Sequence, residues 1–260
     1  TLVRLMLGLA RAETSKARKL IVVDSSYSLE MIQQRNLVRA VTCRDLGGFF
    51  DHVWTVYPCA GANPDGPEGA KYGKMVTTSL AEGHTMVQAY TGRFASLKRL
   101  PMANFLLSQA ELILYLQSLA RSEAISIVRV GDPYYQGLIG LALSWFGRMR
   151  LAIRVGSNFD VVYKTVGKPH YPQLLKHHRV EKLIDRRVLR NAHLVAGANQ
   201  DNLNFALANG ANPVRSTLFR YGNLIADEHF SPPESRPDLR ETIHTEGKPF
   251  LAYVGRLEKV

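Results

Sequence analysis

Two short polar turns carry the side chains best suited to chemistry. Arg129-Val130-Gly131-Asp132-Pro133-Tyr134-Tyr135 follows one apolar, β-branched run, and Arg154-Val155-Gly156-Ser157-Asn158-Phe159-Asp160 closes the next. If the runs are neighbouring parallel strands, both turns lie beyond the carboxyl ends of the sheet, where ligands of such sheets bind. Asp132, Asn158 and Asp160 offer acceptors for hydroxyl groups, and Arg154 offers a phosphate or carboxylate contact. Asp132-Pro133 also spells a helix start, with Asp as N-cap and Pro at the first helical position. Tyr134 and Tyr135 have faces on which a sugar ring could stack, and serve equally well as walls of the core. A third turn, Asp24-Ser25-Ser26-Tyr27-Ser28, presents hydroxyls and backbone amides to a phosphate at a helix N-terminus.

Several reaction classes lose their support. No Walker or G-x-G-x-x-G motif occurs, which argues against P-loop hydrolysis and nicotinamide chemistry. Neither a G-x-S-x-G elbow nor a Cys-His arrangement marks a covalent nucleophile. Cys43 and Cys59 supply no disulfide framework and no Cys-x-x-Cys metal site. The eight histidines, His170, His177 and His178 among them, read as structural. Neither a metal nor a cofactor is expected.

The elements that must position these turns alternate regularly. Strand candidates run over 19–24, 51–57, 85–90, 125–130, 151–155, 193–198 and 216–220, with amphipathic stretches near 29–41, 101–120, 134–147, 172–191 and 199–209. Such alternation implies right-handed βαβ crossovers, hence an α/β class with a doubly wound, mostly parallel sheet. Residues 59–84 are rich in Gly and Pro and have no clear period, so a long loop is expected there. Ser231-Pro232-Pro233-Glu234-Ser235-Arg236-Pro237 continues neither a helix nor a central strand. We divide the 260 residues into a domain over 1–225, a linker over 226–249 and the first strand of a second domain over 250–260. With Thr1 at its start and that strand at its end, the chain reads as a fragment.

The formal net charge is +11, which favours anionic partners. On a helix over 174–190, Lys176, Arg179, Lys182, Arg186, Arg187 and Arg190 fall on one arc while Val180, Ile184 and Val188 form an apolar line. That basic face is either a solvated surface or a contact for an anionic membrane; nucleic acid is not an expected partner. The longest apolar stretch, 138–146, is well short of a bilayer span. The expected location is cytoplasmic, with peripheral attachment at the inner face of the membrane.

Three passages share an order and spacing with a known family. Arg186-Arg187-Val188-Leu189-Arg190-Asn191-Ala192-His193-Leu194-Val195-Ala196-Gly197-Ala198 resembles the "vlr-x-Ad-x-vi-x-x-S" passage of family 4 glycosyltransferases of the two-domain GT-B fold. Asn223-Leu224-Ile225-Ala226-Asp227-Glu228-His229-Phe230-Ser231-Pro232 resembles their "NGVD-x-x-x-F-x-P" passage, with Leu224 in place of Gly. Tyr253-Val254-Gly255-Arg256-Leu257-Glu258-Lys259 resembles the stretch that opens their second domain. Two departures stand out: Ser25-Ser26 replaces the frequent Gly-Gly pair, and the turn Arg154 to Asn158 has no histidine.

The resemblance implies the acceptor-side half of a GT-B enzyme that moves a sugar, with retention, from a nucleoside-diphosphate sugar to a carbohydrate or lipid-linked acceptor in polysaccharide or glycolipid synthesis. It gives Gly255 and Arg256 to the donor diphosphate, with Ser25 and Ser26 on the donor side. Asp132, Asn158 and Asp160 would take catalytic hydroxyl contacts, and Tyr134, Tyr135 and Arg154 the acceptor. The departures leave two alternatives open: a non-catalytic module that binds nucleic acid or membrane, and a nucleotide-sugar epimerase.

Overall fold

The run Lys19-Leu20-Ile21-Val22-Val23, β-branched and apolar on both sides, is what a strand covered on two faces requires, and it forms β1 (Lys19–Val23). It belongs to a computed structural model that describes residues 17–62, 72–172 and 174–220. The other strands are β2 (His52–Ala60), β3 (Val76–Ala81), β4 (His84–Tyr90), β5 (Ile127–Val130), β6 (Arg150–Val155), β7 (Leu194–Gly197) and β8 (Ser216–Leu218). They make one sheet of order β3-β4-β2-β1-β5-β6-β7-β8. Every neighbouring pair is parallel except β3 and β4. The doubly wound, mostly parallel sheet expected from the alternation is the one observed.

Seven helices over the described residues cover it: α1 (Leu29–Gln34), α2 (Val38–Thr42), α3 (Pro101–Ser122), α4 (Tyr135–Gly147), α5 (Phe159–Val166), α6 (His178–Asn191) and α7 (Gln200–Ala208). One sheet face, with Ile21, Val23, Val56, Val128, Val130 and Ile153, packs on Leu112 and Leu116 of α3 and Ile139 and Leu143 of α4. On the opposite face Leu20, Val22 and Val53 meet Phe50, while Tyr57 and Met86 meet Ile32 of α1 and Val41 of α2. β5, β6 and β7 alternate buried with half-buried residues, so beyond β1 only one face is fully covered among the described residues. Gly140 lets α4 approach closely, because a Cβ there would lie 2.6 Å from Val130 Cγ1 and 2.7 Å from Leu151 Cδ1.

Several boundaries differ from expectation. The stretch 59–84 is not one loop: β2 runs to Ala60, and Val76–Ala81 adds an antiparallel edge strand. Gly83 turns that hairpin at φ +67, where a Cβ would also meet Asp51 O at 2.8 Å. The stretch 29–41 breaks in two around Asn36, whose φ of 52 is left-handed. α5 was not anticipated, and α6 begins at His178 rather than near 172. The chain divides into two compact units, Thr1–Tyr221 and Gly222–Val260. The second unit, and with it the expected linker, the strand over 250–260, Gly255 and Arg256, lies outside the described residues.

Candidate functional site

Strand register brings the three polar turns together. Val23 pairs with Val130 and Val130 with Ile153, so Asp24, Gly131 and Arg154 follow side by side at the carboxyl ends of β1, β5 and β6. The row is fixed by backbone bonds, Asp24 N–H donating to Val56 O at 2.9 Å and Gly131 N–H to Val23 O at 3.2 Å.

Asp132 organises one side of this row. Its Oδ1 accepts the Tyr134 N–H at 2.8 Å and its Oδ2 accepts the Tyr171 hydroxyl at 2.6 Å. The helix start expected at Pro133 is therefore displaced: Asp132 closes a two-residue turn, and α4 begins at Tyr135 with Tyr134 as N-cap. Gln136, in the first turn of α4, accepts the Gly131 N–H on Oε1 at 2.9 Å and donates from Nε2 to Ser25 Oγ at 2.7 Å. Gly131 is required here, since a Cβ would stand 2.8 Å from Gln136 Oε1. Tyr171 N–H donates to Glu181 Oε1 of α6 at 3.1 Å. One network thus joins the turns after β1 and β5 to the segment that leads into α6.

Asp132 is only 3% exposed. Burial raises its pKa to about 6, although the Tyr171 and backbone hydrogen bonds partly offset that rise. Burial, with Asp132 close by, also raises the Tyr171 hydroxyl far above the usual range, so it stays a donor. This carboxyl changes protonation close to neutral pH, but it acts through Tyr171 and has no open face of its own.

Arginines gather on the other side. Arg44, only 7% exposed, donates from Nη2 to Asp24 Oδ2 at 2.7 Å and from Nη1 to Thr55 Oγ1 at 3.2 Å. Burial opposes ionisation of Asp24, but Arg44 and the Ser26 hydroxyl and N–H outweigh it and hold the carboxyl below the usual range. Burial, followed by repulsion from Arg44, lowers Arg129 to about 10; burial, followed by repulsion from Arg129, does the same for Arg154.

The other expected site residues are employed differently. Tyr134 is 1% exposed, with its ring edge-on to Phe159 at 5.0 Å. Tyr135 is buried, its hydroxyl donating to Gln109 Oε1 at 2.7 Å and lying 3.1 Å from Pro58 O. Both rings are inside the core, so neither presents a face for a sugar to stack on. Asn158 caps α5 by accepting the Val161 N–H at 3.3 Å, and its Nδ2 donates to Asp201 at 2.9 Å. Asp160 accepts from Lys182 Nζ at 2.8 Å and from Asn209 Nδ2 at 3.2 Å. Burial raises its pKa, but Lys182 and Asn209 outweigh that and hold it below the usual range. Ser26 turns both its N–H and its hydroxyl toward Asp24 Oδ1, which occupies the donors expected to meet a phosphate.

The basic arc of α6 also needs correction. Lys182 leaves it, bridging Asp160 and the fully buried Asp185, which it meets at 2.9 Å. The inward residues are Glu181, Asp185, Val188 and Leu189. Leu183, 68% exposed, stands among Arg179, Arg186, Arg187 and Arg190 on the outer face. The Arg187 guanidinium lies 5.2 Å from the ring centre of Trp145, at the end of α4, where Trp145 and Phe146 are 50% and 69% exposed.

Sequence reasoning missed Arg44, Gln136 and Tyr171. Gln136 had a signal, since it is the first polar residue of a helix that follows a candidate turn. Tyr171 gave none, because it meets Asp132 from 39 positions away. Among the described residues no group of three or more His, Cys, Asp and Glu side chains converges as a metal site would.

Known structures share this architecture. HepE of Anabaena, solved in complex with UDP, matches with a TM-score of 0.52 at 11% identity, over 87% of this chain and 50% of HepE. The fold is similar to half of HepE. HepE with UDP and glucose gives 0.49 at 13% identity over the same shares. Sucrose-phosphate synthase from Thermosynechococcus elongatus gives 0.46 at 10% identity, over 79% of this chain and 90% of that one. The chain therefore spans about half the length of HepE, and at this identity the likeness is one of fold: a Rossmann-like half of the GT-B architecture. No protein-family model and no curated protein matches the sequence.

Proposed function

We propose that this chain is the acceptor-side half of a retaining glycosyltransferase that moves a sugar from a nucleoside-diphosphate sugar to a carbohydrate or lipid-linked acceptor, in polysaccharide or glycolipid synthesis. The observation that carries the reading is the fold shared with half of HepE, a protein solved with UDP. The polar row at the carboxyl ends of β1, β5 and β6 supports it, because that is where open parallel sheets hold ligands. Asp132 serves as a positioning residue: through Tyr171 it fixes the segment over α4, while Gln136 fixes Ser25 at the rim. Asn158, whose amide caps α5 and donates to Asp201, would have to give up one of these bonds to meet a hydroxyl group. Arg256 would steady the departing diphosphate, a fixed cation where charge develops.

The test is transfer itself. The acceptor-side half, tested together with the donor-binding half that such an enzyme needs and incubated with a panel of UDP-sugars and candidate acceptors, should release UDP and form a product with the donor's anomeric configuration; the 260-residue half alone should not turn over. Arg256→Ala should lower turnover about 100-fold or more; near-normal turnover refutes that role, and no donor binding at all refutes the reading.

The outer face of α6 favours peripheral attachment to an anionic bilayer. Leu183, Trp145 and Phe146 supply the apolar insertion that a purely solvated basic face lacks, and the surrounding arginines match anionic headgroups. Among the described residues no helix is long and apolar enough to cross a membrane. Sedimentation with phosphatidylglycerol vesicles but not with phosphatidylcholine vesicles is expected, and a double Leu183→Ser, Phe146→Ser variant should remain in the supernatant.

A further inference from the structure

We propose that the outward face of α3 inserts into the surface of an anionic bilayer. The kind of partner rests on the peripheral-attachment reading of α6; the face itself does not.

α3 is the longest helix among the described residues, with 22 residues, and its solvent side is apolar. Asn104, Ser108, Leu112 and Leu116 are buried on its inner side. At 100° per residue, Ala103, Leu107, Ala110, Leu114 and Ser118 fall within about 80° of one another on the other side, with Leu106 on their flank. All six are exposed. The outer face of a helix in water is ordinarily polar and charged, yet from Pro101 to Ala120 the one charged residue is Glu111. The apolar surface continues past the start of the helix. Phe94, Leu100, Met102, Leu106, Leu107 and Leu114 are each 43% to 66% exposed. Single exposed apolar residues are ordinary, but six in one stretch mark a surface that something covers.

The charges around this surface choose the partner. Lys98 and Arg99 are exposed at one end, and Arg121, seven residues beyond Leu114 and so on the same line, is exposed at the other. The acids nearby are already engaged: Arg93 Nε donates to Glu111 Oε2 at 2.6 Å, and Lys19 Nζ to Glu123 Oε2 at 2.5 Å. Two copies pairing along α3 would set base against base in either direction. Lys98 and Arg99 would meet their own counterparts in a parallel pair and Arg121 in an antiparallel one. A layer of anionic headgroups matches both ends at once, and the acyl boundary beneath it takes the leucines.

The fold sets the orientation that follows. α4 packs against both α3 and α6, and all three contribute to one core against the sheet. The α3 face and the patch of Leu183, Trp145 and Phe146 therefore belong to one helical layer, and one bilayer can meet both. Each patch alone is a modest anchor, and together they make attachment stable. α3 runs back along the strands: its Ser108 hydroxyl donates to Tyr90 O at the end of β4, and Glu123 meets Lys19 at the start of β1. A bilayer lying along α3 thus runs parallel to the strands, and the polar row at their carboxyl ends opens along the membrane surface.

The full 260-residue chain should sediment with phosphatidylglycerol vesicles and not with phosphatidylcholine vesicles. A double Leu107→Ser, Leu114→Ser variant should bind phosphatidylglycerol at least about tenfold more weakly, with an unchanged far-ultraviolet circular dichroism because both positions are exposed. A double Lys98→Gln, Arg99→Gln variant, which removes charge and no apolar surface, should lose about tenfold or more. No sedimentation of the wild-type chain with phosphatidylglycerol overturns the proposal, and so does binding that both α3 variants retain in full. The Leu183→Ser, Phe146→Ser variant separates the two patches: if it alone loses binding, the α6 reading stands and the α3 proposal falls. If the α3 variants alone lose binding, the reverse holds. Analytical ultracentrifugation tests the other occupant. A dimer that Leu107→Ser, Leu114→Ser converts to monomer assigns this face to a second copy of the chain and overturns the bilayer.

Discussion

Replacing Asp132 by Asn should change how stability depends on pH, in a direction and by an amount the structure sets. The carboxyl is buried, and its pKa rises from the ordinary 3.8 to about 6. The native state keeps this proton up to about pH 6 while the unfolded chain gives it up near 3.8, so between those values the native state binds one proton more. Stability contributed by this group therefore falls as pH rises through that window. At about 1.4 kcal/mol per pH unit, the difference amounts to about 3 kcal/mol by neutral pH. Asparagine mimics the protonated form: its oxygen still accepts the Tyr134 N–H, and its amide can donate to a rotated Tyr171 hydroxyl. The assay is urea unfolding of both proteins at steps from about pH 4 to about pH 7, where the window lies. Lowered carboxyls such as Asp24 and Asp160 titrate the opposite way but are common to both proteins, so they cancel in the difference. The stability of Asp132→Asn minus that of wild type should climb by about 3 kcal/mol across the range and level off above pH 7. A difference that stays flat with pH would refute the assignment of a buried, raised carboxyl at this position.

Other perturbations test the elements that hold the site. Lys182→Met strands the fully buried Asp185 and frees Asp160, and should cost about 3 kcal/mol or more in urea unfolding; a cost below 1 kcal/mol would show that this bridge is dispensable. Gly140→Ala gains about 1 kcal/mol of helix propensity but forces a methyl against Val130 and Leu151. A net loss of stability is expected, and a net gain would show that α4 can lift from β5 and β6. Tyr135→Phe removes the hydroxyl that meets Pro58 O and Gln109 Oε1, and should lower stability by about 1–2 kcal/mol without altering the far-ultraviolet circular dichroism.

The fold was legible because its signal is local. β1, β2 and β4 to β8 announce themselves as β-branched runs, and a Gly marks the ends of β2, β5, β6 and β7. β3 was missed because Val76-Thr77-Thr78-Ser79-Leu80-Ala81 is a largely exposed edge strand with no apolar run to declare it. The site was legible only as a place. Register brought the turns together as expected, yet the roles of single residues depended on partners distant in sequence, such as Tyr171 on Asp132 and Arg44 on Asp24. Tyr134 and Tyr135 show the same limit: next to a polar turn they read as ligand contacts, and only packing against Phe159 and Gln109 turns them inward. Lys182 read as surface charge because a helical wheel cannot see Asp160 or Asn209 on other elements.

Gly131 separates two constellations with different electrostatic tasks. On one side Asp132 holds the Tyr134 N–H and the Tyr171 hydroxyl, and Gln136 holds the Gly131 N–H and Ser25. On the other side Asp24 secures Arg44, while Arg129 and Arg154 rise from adjacent strands on the same face. Arg129 and Arg154 start from strands whose backbone ladders fix the row they stand in. Arg44 comes instead from the turn Cys43–Asp45 and is positioned by its bonds to Thr55 and Asp24, so Arg44 is the guanidinium whose place depends on Asp24.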